Sequence, residues 1–341
     1  MITIDGSKGE GGGQIVRTSL SLSLITGKPF TIKNIRAARS NPGLRRQHLA
    51  SIDAAAQIGG AEVSGADVGS QHLTFTPGNV RAGQYSFPIG TAGSTTLVFQ
   101  TVLPALLLQP GPSFLTFEGG THNPMAPPYD YLEKTFIPVI NRMGATISVK
   151  LIRYGFYPAG GGNFEELVEP VSRERLRFPQ NLRDRGKVNR VDLNVLLCDL
   201  PEHIARRETE TVLTVLGNRL MSHKMANGES DSPGNAVIIE ISCDTIRETV
   251  SVIGQRGIRA EAVARQAARE TVHYLESDAC VGPHLADQLL LPLALCGEGE
   301  FSTVRPTTHT VTNMETIGKF MEVRFRVEQL RENLWLIALE K

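Results

Sequence analysis

Apolar and polar positions divide the chain into short units that recur. Residues 1–5 read as a strand, and SKGEGGGQ (7–14) separates them from an apolar helix over about 15–25. Gly27 ends that helix, because glycine accepts the left-handed conformation that closes a helical C-terminus. PFTIKNIRA is the next strand. Asn41 and Pro42 read as cap and first turn of a second helix ending at Gly59 and Gly60, and AEVSG and HLTFTPG add two strands. The pattern then returns. Gly90–Gly93 leads into a helix over 94–108 with a kink at Pro104, PSFLTFEGG is a strand, and 121–145 hold a loop and a helix. It returns a third time as Gly282, the helix LADQLLLPLAL, Gly297, and the strand and loop EFSTVRPTTHT.

The helix-ending glycines are Gly27, Gly111 and Gly297, so the second interval exceeds the first by about 100 residues. Repeats keep their period, which predicts an insertion in the last unit. The polar junction NLRDRGKVNR marks its start. Inside it we expect a strand at 191–200, a helix at 201–220, a polar loop at 227–235, strands near 237–241 and 249–253, and a helix at 259–276. The expected organisation is a large three-repeat α/β domain (1–183 and 280–341) around a pseudo-threefold axis, with a smaller inserted α/β domain (184–279).

Composition narrows the function classes. The 341 residues are 41% hydrophobic, with 35 basic and 35 acidic side chains and no net charge. That fits a soluble globular protein and argues against one that coats nucleic acid along its length. It leaves open a local basic pocket that grips a single nucleic-acid end. The longest apolar runs contain prolines and are too short to span a bilayer, and the N-terminus lacks a signal-peptide pattern. No membrane association is expected. Cys198, Cys243, Cys280 and Cys296 are scattered without a CxxC, as in buried thiols of a reducing cytoplasm.

Three stretches carry candidate chemistry. In GEGGGQ, consecutive glycines before a helix let backbone N–H groups face an anion; a tight packing turn is the alternative. No Gly-Lys-Ser/Thr follows, so this is not a Walker A loop. Glu10 would repel phosphate unless a metal ion bridged the two, which makes it a candidate Mg²⁺ ligand. Arg36, Arg39, Arg45 and Arg46 precede Gln47 and His48 around a helix start, where guanidinium forks can converge on one phosphate; Arg17 can join them. A solvated basic face is the alternative. Gln100, set among apolar residues, needs a partner if buried. In FSTVRPTTHTVTNMETIGKF, His309 lies where a strand ends, ahead of a helix expected to be capped by Thr312 or Asn313 and to reach about Met321. His122 occupies the analogous position of the second unit. A free imidazole titrates near about pH 6.5, so it is mostly an unprotonated nucleophile at neutral pH.

With His309, GEGGGQ, RQHL and YGFYPAGGG together, the chain resembles the RNA 3′-terminal phosphate cyclases over essentially its whole length. The resemblance implies three βαβαββ units plus the inserted domain. It implies that ATP transfers AMP to His309, with Mg²⁺ or Mn²⁺ as cofactor. Gln100, Pro127, His284, Leu285, Ala286, Asp287 and Gln288 match the family's nucleotide pocket, and Glu10 its metal-proximal glutamate. Arg17, Arg36, Arg39, Gln47 and His48 match residues that handle the phosphate and the RNA end. The expected substrate is an RNA with a 3′-terminal phosphate, and a homodimer is suggested by analogy. His284 departs from the tyrosine usual in relatives, and an imidazole stacks over less area. An enolpyruvyl-type transferase and a non-catalytic RNA-binding relative are the competing readings. Neither needs His309.

Overall fold

A computed structural model describes residues 1–340. Its first unit runs β1 (Ile2–Asp5), α1 (Gln14–Thr26), β2 (Phe30–Lys33), α2 (Arg46–Gly59), β3 (Glu62–Ser64) and β4 (Leu73–Thr76). The strand order is β1-β2-β4-β3, with β1 and β2 parallel and the other pairs antiparallel. The second unit is β5 (Gln84–Pro88), α3 (Thr95–Leu106), β6 (Ser113–Gly119), a helical segment, β7 (Thr146–Arg153) and β8 (Gly162–Glu169). That segment is α4 (Tyr129–Tyr131) and α5 (Ile137–Asn141), joined by a π-helical turn, Leu132–Phe136. Its sheet repeats the order of the first, β5-β6-β8-β7, again with one parallel pair.

Between the second and third units stand β9 (Val188–Cys198), α6 (Glu202–Leu216), β10 (Ser222–Asn227), β11 (Gly234–Cys243), β12 (Arg247–Ile253) and α7 (Ala260–Glu276). Their sheet, β10-β9-β11-β12, covers one face with α6 and α7 through Val195, Val237, Ile239 and Ala264. Leu196, Ala236 and Ile238 on the opposite face pack on Phe156 of YGFYPAGGG. The third unit is α8 (Pro283–Cys296), β13 (Glu300–Thr303), α9 (Thr308–Phe320), β14 (Arg324–Arg331) and β15 (Leu334–Glu340). Its sheet order is β13-β15-β14, and its first strand is reduced to a parallel bridge from Val281 to Thr303. All three units therefore share one connectivity.

Local chemistry explains the helix limits. Gly27, Gly60 and Gly297 close α1, α2 and α8 with φ of 68°, 53° and 74°. Three boundaries differ from the sequence expectation. α3 closes on Leu107, whose N–H returns to the Leu103 carbonyl, so Gly111 lies beyond the helix and does not end it. α2 begins at Arg46, four residues beyond Pro42, because the side chain of His48 accepts the Arg45 N–H and fixes the cap there. α9 begins at Thr308, because Thr307, not Thr312, accepts the Thr310 N–H at 3.2 Å. Strand β10, in the stretch left unassigned between the expected helix and the expected polar loop, pairs parallel with β9. Among the described residues, no helix is long and apolar enough to cross a membrane.

Packing aims these elements. Phe30 of β2 stacks with Phe75 of β4 and meets Phe320 of α9 edge-on, with centroids 5.7 and 5.8 Å apart. Lys28 Nζ donates to Phe320 O at 2.7 Å, holding a cation at the negative end of α9. The C-terminus of α9 is thus anchored on the first unit, and α1 packs against both α3 and α9.

Candidate active site

His309 lies in the first turn of α9, not in the loop before it, and its side chain is half exposed. Its Nδ1 lies 2.9 Å from Gln14 Oε1 at the start of α1, and its Nε2 lies 3.8 Å from Glu10 Oε1. Gln14 Nε2 donates to both carboxylate oxygens of Asp287, on α8, at 2.7 Å. Asn313 donates to the Asp287 carbonyl at 2.9 Å and accepts from Thr18 at 2.8 Å. These bonds join α1, α8 and α9 around one imidazole. Burial raises the Asp287 carboxyl to about 6 against the opposing pull of Gln14, His309 and Arg17.

The glycine loop wraps the same place. Glu10 N donates to Thr312 Oγ1 at 2.9 Å, tying the loop to α9. A side chain at Gly9, which has φ of 62°, would strike that Thr312, and one at Gly12 would strike the Glu10 carboxylate. Arg39 donates to the Glu10 carbonyl at 3.0 Å and pairs with Oε1. Glu10 Oε2 is buried without a hydrogen-bond partner among the described residues. A buried carboxylate oxygen of this kind fits a divalent cation. Among the described residues, no group of three or more His, Cys, Asp or Glu could hold one unaided.

Next to the loop, His48 is buried in the first turn of α2, and its Nδ1 accepts the Arg45 N–H at 2.9 Å. The proton of the neutral ring is therefore on Nε2, which faces Gly13 so closely that a side chain there would collide with it. Burial, with Arg17, Arg36 and Arg45 nearby, pushes His48 down to about 3, so it is a neutral donor at physiological pH. Among the described residues, none accepts a side-chain hydrogen bond from Arg17. Burial lowers its guanidinium to about 10, which leaves it charged. Arg36 has φ of 53° and gives one guanidinium nitrogen to Asn41 O and Gly43 O at 2.7 and 3.0 Å, closing its own loop. Gln47 is exposed beside Gly93.

The remaining sequence candidates fall around α8. Leu285 and Ala286 are buried core residues, and Gln288 Oε1 accepts Gln100 Nε2 at 2.7 Å, which gives Gln100 its partner. Pro127 O accepts Thr96 Oγ1 at 2.7 Å, seating that loop on the start of α3. His284 is exposed in the first turn of α8, with Glu270 of α7 and His309 as its charged or titratable neighbours. His122, by contrast, is fully buried between Thr121 Oγ1 and Asp130 Oδ2, each 2.9 Å away, and is no open nucleophile. Sequence reading did not single out Gln14, and it took Thr312 and Asn313 only as helix caps, whereas they bind the glycine loop and Asp287. Gln14 closes the GEGGGQ motif, but its two partners are 273 and 295 residues away.

The first turns of α1, α2, α8 and α9 therefore meet around His309 and the glycine loop. Helix N-termini favour anions, so phosphate groups are the ligand chemistry the place suits best. A family model described as RNA 3′-terminal phosphate cyclase matches residues 8–327. The chain is 51% identical over 340 residues to the RNA 3′-terminal phosphate cyclase of Koribacter versatilis (strain Ellin345), covering 99% of this chain and 95% of the relative. It is 46% identical over 345 residues to that of Ectopseudomonas mendocina (strain ymp), covering 100% and 98%. It is 45% identical over 341 residues to that of Salmonella agona (strain SL483), again covering 100% and 98%.

Proposed function

The chain belongs to the RNA 3′-terminal phosphate cyclase family, and on that premise we propose that it works through AMP carried on His309. ATP donates the AMP, and an RNA 3′-terminal phosphate receives it. The product is a 2′,3′-cyclic phosphodiester, released with AMP and pyrophosphate. The observation that supports this most is the half-exposed imidazole of His309 at a junction of helix N-termini.

In this reading the adenosine lies along the first turns of α8, residues 284–288, opposite Gln100 and Pro127. An imidazole nitrogen of His309 attacks the α-phosphorus, and pyrophosphate leaves. Glu10 Oε2 would hold Mg²⁺ or Mn²⁺, which supplies positive charge against the departing pyrophosphate. With a single protein carboxylate, the other ligands would be phosphate oxygens and water. Arg17 and Arg39, with the Nε2–H of His48, hold the RNA 3′-phosphate as it attacks the carried AMP. Arg36 shapes the loop that presents Arg39, and Gln47 borders the path of the RNA. The neighbouring 2′-OH then closes on the activated phosphate and expels AMP, aided by proximity. DNA, which lacks that hydroxyl, would stop at the activated end. The setting we propose is the cytoplasm, where four free thiols would stay reduced.

The test uses ATP labelled at the α-phosphate, with wild type and His309→Ala side by side. Protein label that survives denaturation, is released by acid and appears on wild type alone is the expected result. RNA ending in a 3′-phosphate should discharge it. No label on fresh, metal-supplied wild type would overturn the reading.

A further inference from the structure

We propose that Gln14 is a positioning residue that makes Nε2 the attacking nitrogen of His309, and that Asp287 locks Gln14 into that role. The inference rests on the reading of His309 as the AMP carrier. Three bonds carry it. Asp287 only accepts when ionised, so the Gln14 amide must turn its NH₂ toward the carboxylate, 2.7 Å from both oxygens. The amide oxygen is then fixed against His309 Nδ1 at 2.9 Å. An amide oxygen only accepts, so Nδ1 must carry the hydrogen. A bare Nδ1 would set two lone pairs against each other. Nε2 is left with its lone pair, on the side facing Glu10.

The consequence is a transfer in which no proton has to move at His309. The Nε2 lone pair forms the bond to the α-phosphorus, and the phosphorus–oxygen bond to pyrophosphate breaks with its electrons on pyrophosphate. The ring keeps the Nδ1 hydrogen and becomes a cationic phosphorylated imidazolium. Gln14 Oε1 accepts from that more acidic N–H, and the Asp287 carboxylate polarises the amide from behind. An imidazolium is a good leaving group. When an oxygen of the RNA phosphate attacks the phosphorus, the N–P bond breaks and its electrons return to Nε2. The Nδ1–H tautomer is restored, ready for another cycle. A wrong tautomer would forfeit both steps, as in other systems where a second residue orients a histidine.

The test pairs a spectroscopic reading with a kinetic one. Histidine is labelled with ¹⁵N in the full-length protein without nucleotide, and the His309 signals are assigned by their loss in His309→Ala. Wild type should show Nδ1 protonated and Nε2 bare, the opposite of the form free histidine favours. Gln14→Met, similar in length but without polar atoms, should lose that preference. It should label with AMP about 100-fold more slowly, with the ATP concentration for half-saturation little changed. Gln14→Glu keeps an acceptor toward Nδ1, shares a proton with Asp287, and should recover most of the rate. A wild-type His309 protonated at Nε2 would overturn the proposal without any variant having to fold. So would a Gln14→Met protein that labels at the wild-type rate. The NMR reading needs no ATP, so a wild type that fails to label would count against the AMP-carrier reading separately.

Discussion

Glu248 Oε2, on strand β12 of the inserted sheet, accepts the backbone N–H of Gly282 at 2.9 Å. Gly282 is the N-cap of α8, the helix that carries His284, Asp287 and Gln288. Within a helix this acceptor usually comes from a glutamate three residues on, but Leu285 stands there. The inserted sheet supplies it instead, and a side chain at Gly282 would press on the Glu248 carboxyl.

This buried cap predicts a pH dependence of stability. Burial raises Glu248 from 4.5 to about 7. Its folded form favours the proton, so its contribution is fully present below about pH 4.5 and is lost as pH rises through 7. The loss is on the order of 3 kcal/mol. Glu248→Gln keeps an acceptor for Gly282 and cannot ionise. Its melting temperature should fall less than that of wild type between pH 5 and about pH 8. Equal slopes in the two proteins would refute this.

Glu166 makes a second test. It is 1% exposed on β8, and neither carboxyl oxygen has a hydrogen-bond partner among the described residues. Burial holds it well above the carboxylate range, so it is carried protonated. Glu166→Met should stabilise the protein by about 1–3 kcal/mol in chemical denaturation. The gain should grow with pH, because wild type alone must take up a proton to fold.

Arg185 ties the two crossings of the inserted segment together. Its guanidinium donates to the carbonyls of Tyr274, Leu275 and Ala279 at 2.7–3.2 Å, and it lies 5.0 Å from the Tyr274 ring centroid. Arg185→Met leaves three carbonyls at the end of α7 short of a donor. We expect a loss of about 3 kcal/mol in denaturation, with amide exchange rising first around residues 274–279.

Gly12→Ala probes the loop without touching the core. The added methyl would strike the Glu10 carboxylate and swing it away from His309. AMP labelling should fall at least about tenfold and demand more Mg²⁺, while the melting temperature changes by no more than about 2 °C. A labelling curve that overlays wild type would show that the Glu10 position does not matter.

The repeat was legible because its signals are local. Gly27 and Gly297 close α1 and α8 with φ of 68° and 74°, and although the middle marker, Gly111, lies beyond α3, which closes on Leu107, the uneven interval still showed where the extra residues stand. The GEGGGQ loop before α1 and the basic run before α2 could be read for the same reason: a helix N-terminus and its favoured ligands lie within one short stretch of chain. What failed locally was choosing between competing caps. Thr307, Thr312 and Asn313 are all good N-caps in a peptide. Thr312 is taken by the Glu10 N–H and Asn313 by Thr18 and Asp287, so only Thr307 is left to start α9.

The sequence by itself determined the order of elements, the repeated unit with its insertion, and the residue types able to do phosphate chemistry. The tertiary structure decided which of them meet. It buried His122 against Asp130, held His48 neutral among arginines, and left His309 half open. It also brought Gln14 between Asp287 and His309, partners 273 and 295 residues distant along the chain. The reason is physical. Propensity and capping act over a few residues, whereas the hydrogen of an imidazole is placed by whichever acceptor packing sets 2.9 Å away.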